Sequence, residues 1–362
     1  MLKDKVASVV NPLLIRIIFL LPVMVMLFLP ACATSRAYLD RTAEGKIFWP
    51  GPPAKARIQY MWTINTTPRS GEAGRKGLAD ILLGDVVDDP SDPRAAMSLL
   101  RPFSISMSSD GTKLYISDTG ALRVTVIDLK DMSTRHILSA GKEEFLSPVG
   151  VAATPTGDIY ISDSDLKKVF ILSEDGKLKG ELKKEFLRPT LLAVDEERHV
   201  IYVSDTAAHK VIAFSIVDGS TVMEIGKRGG EDGEFNFPTH LWVDDTGDLY
   251  VTDAMNFRVQ IFDSTGKFIS KFGTLGDGSG NLEKPKGVAT DSERNVYVVD
   301  SINDSVKIFN REGQLLLQFG SEGAGYGQFW LPGGMFIDNE DHIYVADVYN
   351  NRVQVFRFIG VN

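Results

Sequence analysis

The sequence predicts an all-β protein, a six-bladed β-propeller whose last blade is completed by an N-terminal strand. Three observations predict it. Tyr-x-x-Asp recurs six times, as Tyr115/Asp118, Tyr160/Asp163, Tyr202/Asp205, Tyr250/Asp253, Tyr297/Asp300 and Tyr344/Asp347, with 42 to 48 residues between successive aspartates. A proline opens each unit, at Pro102, Pro148, Pro189, Pro238, Pro285 and Pro332. The last unit contains three strand-like runs, while Arg57 to Ile64 carries the pattern of the missing fourth.

Within a unit the strands follow from composition. In the fourth, 239–243, 248–252, 257–263 and 267–273 are rich in β-branched and aromatic residues, and Asp-Thr-Gly-Asp and Ser-Thr-Gly-Lys separate them as turns. Four strands about every 45 residues make a propeller blade. A last blade with three strands would leave a bare edge, so residues 56–64 are expected to fill it. The innermost strand of a blade runs from the top face to the bottom. The turns after the first and third strands therefore lie at the bottom, and the loops after the second and fourth at the top. Residues 65–100 must then cross the top face before the six repeats of 101–358. Their run Gly77 to Gly84 is apolar at helical spacing, with Arg69, Arg75, Lys76 and Arg94 around it. A partial lid and a flexible insertion both fit that composition.

The chain of 362 residues is 43% hydrophobic and 24% charged, enough for a large core. Its net charge of −9 opposes broad attraction to nucleic acid. One cysteine excludes an intrachain disulfide, and five scattered histidines form no common zinc motif.

The N-terminus has its own logic. Lys3, Lys5 and Arg16 precede an apolar run from Ile17 to Leu29, and Leu29-Pro30-Ala31-Cys32 follows. The run is shorter than the roughly 20 residues a spanning helix needs, and Pro22 interrupts it. Leu29-x-Ala31-Cys32 resembles a bacterial lipobox. That implies a lipoprotein signal peptide over 1–31, palmitate and related acyl chains on Cys32, and a Pro-rich tether over 32–55. Ala33, in place of an aspartate, favours the outer membrane. An ordinary secretory signal with an incidental cysteine is the plainer alternative. Loss of 1–31 removes three basic residues and one acidic, leaving −11.

Pro-x-Gly-Val-Ala-x-Asp (from Pro285), Tyr-Val-x-Asp (from Tyr297) and Asn-x-Arg-Val-Gln-Val-Phe (from Asn350) recur in register, and this set resembles the NHL repeat over 101–358. The resemblance implies a six-bladed propeller and several kinds of function. Related bacterial lipoproteins look like non-catalytic accessory factors of envelope or electron-transfer systems, which suggests a protein partner such as an envelope protein or a multihaem cytochrome. Lyases and calcium-dependent lactonases of the six-bladed group imply a rival, catalytic use of the channel mouth. RNA binding, seen in eukaryotic relatives, is opposed by the export signal and the charge.

The candidate residues are weighed on that frame. The six repeat aspartates, each followed five residues later by Arg123, Lys168, Lys210, Arg258, Ser305 or Arg352, are expected to tie loops together and, where a base follows, to pair with it. The Gly-rich runs 229–233, 276–280 and 323–327 precede strands instead of helices, so they read as tight loops and not phosphate cradles. The positions after each opening proline would ring the channel at the top; they supply one histidine, His240, and no carboxylate, too few for a metal site of three protein ligands. No metal, cofactor or catalytic residue is assigned, and a monomer is expected. The acidic bottom turns, such as Asp195-Glu196-Glu197 and Asp244-Asp245, read first as turn chemistry and second as a weak calcium or cationic-partner surface. The top face, with Phe103, Thr239, His240, Lys286, Asn256, Tyr349 and Asn350, is the expected binding surface.

Overall fold

The computed structural model describes residues 36–66, 98–276 and 278–360. The signal peptide, Cys32 and most of the 65–100 insertion lie outside them. From Ser35 onward the chain forms one compact unit.

Six antiparallel sheets form the blades, five of them built from four consecutive strands, and a two-stranded ribbon of Ser139–Ala140 and Glu143–Glu144 lies between the first two. Their innermost strands are Pro102–Met107, Pro148–Ala153, Pro189–Asp195, Pro238–Val243, Pro285–Thr290 and Met335–Ile337. Pro suits the first position of a strand because its missing N–H takes no ladder bond. The sixth unit departs: Pro332 does not open its strand, and Gly334 N–H instead donates to the Phe103 carbonyl of the first blade at 2.8 Å. A side chain at Gly334 would meet that carbonyl oxygen at 2.3 Å.

Neighbouring blades are stitched by the residue before each repeat aspartate. The hydroxyls of Ser117, Ser162, Ser204 and Thr252 donate to the carbonyls of Val149, Thr190, Thr239 and Lys286 in the next blade. Blades five and six have Val299 and Ala346 there, and backbone takes over: Gly287 N–H reaches Gly333 O, and Gly334 N–H reaches Phe103 O. Between blades, apolar side chains from facing sheets interdigitate, each interface holding one repeat tyrosine.

The ring closes as its sequence pattern demands. Ile58–Asn65 pairs antiparallel with Arg352–Phe358, from Phe358↔Ile58 to Val353↔Ile64. The expected tether is corrected. Within 32–55, Tyr38–Asp40 and Phe48–Trp49 pair with the outer edge of the closing strand. Trp49 lies 5.7 Å from both Phe319 and Phe356, and Tyr326 OH donates to Asp40 at 2.9 Å. Ala37 N–H donates to Met132 O of blade one at 2.9 Å. A closing strand at the rim would itself expose an edge, and these residues cover it. From Arg36 onward the segment is therefore part of the propeller rim and not a free linker.

Candidate functional site

Each repeat aspartate is buried at the end of the second strand and accepts N–H groups from the loop entering the same blade, at 2.6–3.2 Å. The role is structural, as the spacing suggests, but the pairing with a base five residues later holds in only three blades. Arg258 and Arg352 ion-pair with Asp253 and Asp347 at 2.8 and 2.7 Å, and their remaining N–H groups bind the carbonyls of the Gly-rich loops, Gly230, Glu231 and Glu234 in one case and Ala324, Gly325 and Gln328 in the other. Those loops present carbonyl oxygens to a cation, the opposite polarity from a phosphate cradle. Arg123 lies 3.5 Å from Asp118.

For Asp163 and Asp205 the expected ion pair is corrected. Lys168 turns outward to Glu143 at 2.7 Å, and Lys210 to Glu224 at 2.8 Å. Asp163 is held by backbone N–H groups instead, those of Leu146 and Ser147 before its blade and of Asp165 and Leu166 after it, at 2.8–3.1 Å. Asp205 likewise accepts from Leu187 and Arg188 at 2.9 and 2.8 Å. The physical reason is that a buried carboxylate can be stabilised by several convergent N–H groups as well as by a cation, which frees the lysine to stay hydrated at the surface. In blade five, where the fifth position is Ser305, Lys307 two residues later binds Asp300 at 3.0 Å and the Asn281 carbonyl at 2.6 Å.

Two of the expected binding residues belong to this same device. Asn256 Nδ2 donates to Gly229 O and Asp253, and Asn350 Nδ2 to Gly323 O and Asp347. Their amides are committed to loop geometry, so they are corrected to structural residues.

Four others gather from three blades at the top end of the axis. The Phe103 and His240 rings lie 5.5 Å apart, Lys286 Nζ stands 5.5 Å over the Phe103 ring, and His240 Nδ1 faces Thr239 Oγ1 at 3.4 Å. His240 is 4% exposed and its Nε2 has no hydrogen-bond partner. Burial pushes its pKa down to about 3, with Lys286 adding to the effect. Burial likewise lowers Lys286 from 10.5 to about 8, aided by Lys284. Because the folded chain releases this proton before the unfolded one does, stability should rise as pH increases from about 8 toward 10.5. Lys286→Met should flatten that rise in chemical denaturation series; an unchanged slope would show that the ammonium is not desolvated.

Tyr349 is 44% exposed, its ring tilted by 38° against that of Trp330 with centroids 5.5 Å apart, and the Arg101 guanidinium stands 5.6 Å from its centre. Trp330, missed in the sequence, is 51% exposed. Ten of the sixteen large apolar side chains exposed among the described residues sit on top-face loops, from Leu122, Leu138 and Leu146 through Leu187, Phe237, Met255, Leu275 and Ile302 to Trp330 and Tyr349. For seven of these ten the signal was present in the sequence, as an apolar residue one or two positions before the opening proline or two positions after the repeat aspartate.

The bottom face differs. A cavity of about 940 Å³ runs along the inner strands from Ser104, His240 and Gly334 down to the acidic turns. Several of those carboxylates are internal braces: Asp244, Asp291 and Asp338 each accept the hydroxyl of Tyr250, Tyr297 or Tyr344 at 2.9–3.2 Å. Among the described residues, no group of three or more His, Cys, Asp or Glu side chains is placed to hold a metal ion.

Comparison with known proteins fits this architecture. The NHL repeat profile matches residues 235–262 and 329–356. Over 163 residues the chain is 28% identical to peptidyl-glycine alpha-amidating monooxygenase A of Xenopus laevis, covering 41% of this chain and 17% of that protein. The chain thus spans about a sixth of that relative's length. Among solved structures it resembles an auxiliary nutrient binding protein from Bacteroides thetaiotaomicron, with a TM-score of 0.58, 14% identity and coverage of 73% of this chain and 70% of that one. It also resembles catalytically inactive virginiamycin B lyase from Staphylococcus aureus with quinupristin, with a TM-score of 0.55, 12% identity and coverage of 83% and 92%. Identities this low show the fold alone.

Proposed function

We propose that this NHL-repeat six-bladed propeller is a non-catalytic binding protein that captures a protein partner on its top face and is held at the outer membrane by acyl chains on Cys32. The observation that carries the reading is the concentration of exposed apolar side chains on the top-face loops. Single exposed apolar residues are ordinary on any surface, but ten of the sixteen exposed among the described residues stand on the loops of one face. Trp330 and Tyr349, with Arg101 against them, have the aromatic and Arg composition of interface anchors. Exposed Arg101, Arg188 and Lys284 beside the opening prolines suit a partner with acidic groups around an apolar centre. A binding role is also consistent with the likeness to the Bacteroides nutrient binding protein.

The test is affinity capture from native membranes followed by a quantified binding curve for the captured protein. Trp330→Ala with Tyr349→Ala should weaken capture at least tenfold without changing the melting temperature by more than a few degrees. The bottom-face pair Asp245→Asn with Glu340→Gln should leave it intact. Capture lost by the bottom variant and kept by the top one would overturn the assignment. Anchoring has a separate test: stable attachment takes more than one acyl chain, so Cys32→Ser should move the protein to soluble fractions. Unchanged membrane retention of that variant would exclude the lipid.

A further inference from the structure

We propose that Lys286, at the top end of the axis, is a nucleophilic amine that takes aldehydes and ketones bearing an apolar or aromatic group as reversible imines. The site is a cluster drawn from several blades. Phe103, Val149, Thr190, Thr239, Lys286 and Gly333 follow the six repeat prolines and ring this end of the axis, and none of them is acidic. Lys286 Nζ stands 5.5 Å from the centre of the Phe103 ring, across from blade five on blade one. Among the described residues it has neither an ion-pair nor a hydrogen-bond partner.

Lys307 shows what a buried lysine in this fold otherwise has: its Nζ donates to Asp300 at 3.0 Å and to the Asn281 carbonyl at 2.6 Å. A desolvated ammonium with no acceptor is costly, and the cost falls when the group gives up its proton. The titratable groups that face Lys286 are Lys284, of the same charge, and His240 of blade four, which burial keeps neutral. No carboxylate offsets them. With its pKa near 8, about a fifth of Lys286 is free amine at pH 7.4, against about 0.1% for an ordinary lysine. The amine is also within reach, since Lys286 is half-buried and its Nζ, unlike His240 Nε2, is not sealed from solvent.

A lysine desolvated beside another cation is the arrangement that activates an amine toward carbonyl groups. The Nζ lone pair attacks the carbonyl carbon, and the resulting carbinolamine loses water as a C=N bond replaces C=O. Both protons of that water come from the amine, so no oxidant or reductant enters, and water alone reverses the step. An aryl or alkyl group on the carbonyl would lie against the Phe103 ring, a face the uncharged nitrogen no longer needs.

The full chain is treated with benzaldehyde and sodium cyanoborohydride at pH 7.4. Hydride from the reagent fixes each imine as a benzylamine, and peptide mass spectrometry locates it. Lys286 should be labelled at least tenfold faster than Lys177 and Lys183, whose side chains are 83% and 82% exposed, so the order runs against accessibility. Its rate should level off above about pH 8, whereas those of exposed lysines keep rising. Lys286→Arg should remove this adduct alone. Thr239→Asp, which sets a carboxylate in the same ring and holds the ammonium charged, should slow labelling of Lys286 roughly tenfold; Thr239→Asn should not. Circular dichroism melts establish that each variant folds. The proposal is overturned if Lys286 is labelled no faster than Lys177 and Lys183, if its rate keeps rising with theirs above pH 8, or if folded Thr239→Asp is labelled as the unaltered chain is. Trp330→Ala with Tyr349→Ala should leave labelling unchanged, so this site and top-face capture stand or fall separately.

Discussion

Deleting residues 36–66 is expected to abolish cooperative folding, the largest effect of any change considered for this protein. The closing strand buries Ile58, Tyr60 and Ile64 completely. Each large apolar side chain withdrawn from water is worth about 1.5–3 kcal/mol, so the three together approach the whole stability of an ordinary domain, about 5–15 kcal/mol. Loss of the strand also bares the edge of Arg352–Phe358. A graded series separates the contributions. A chain starting at Arg36 should melt as the full-length protein does. A chain starting at Ala56 keeps the closing strand but loses half-buried Trp49 from its place against Phe319 and Phe356, and should be destabilised by about 2–3 kcal/mol, below the range for deleting a fully buried aromatic. A chain starting at Thr67 should aggregate. Calorimetry and light scattering distinguish the three, and equal melting of the Arg36 and Ala56 chains would show that residues 36–55 do not brace the rim.

Arg352→Ala should destabilise by about 3–5 kcal/mol, because it leaves the fully buried Asp347 without its cation and strips donors from the carbonyls of Ala324, Gly325 and Gln328. Lys210→Ala makes the contrast. Lys210 is the repeat equivalent of Arg352, but it leaves Asp205 to backbone N–H groups and pairs with Glu224 in solvent, with about a third of each side chain exposed. Its loss should cost below about 1 kcal/mol. Two positions that align in sequence should therefore differ severalfold in their shift of denaturant midpoint. Similar losses would mean that Asp347, like Asp205, folds without need of a counterion.

The repeat period, the register of each blade and the missing strand were all legible in the sequence, because a blade is a local object. Alternating apolar residues, turn residues at fixed offsets and an aspartate that bonds to N–H groups 16 to 18 residues away are decided within one unit. The closing strand was legible for the same reason, since Arg57 to Ile64 had to supply a pattern that one unit lacked. What only the tertiary structure decided concerns partners far apart in the chain and the choice among competing partners close by. Asp40 meets Tyr326, and Ala37 meets Met132, once closure brings the rim of blade six beside blade one. Asp163 and Asp205 share the spacing of Asp347 yet lack its cation, because Lys168 and Lys210 find a glutamate in water within reach. Lys307 reaches Asp300 from an unexpected sequence offset because positions five and seven after the aspartate lie on the same side of one strand, where a long side chain from either can enter the loop. Asn256 and Asn350 looked free as loop residues and proved to be bonded within their loops. Phe103, His240 and Lys286 come together from blades one, four and five, and no pairwise spacing encodes that meeting. Local hydrogen bonds and side-chain alternation fix each blade; the axis, the rim and the channel exist only after six blades have packed into a ring, so their chemistry is set by which side chains the closed geometry brings face to face.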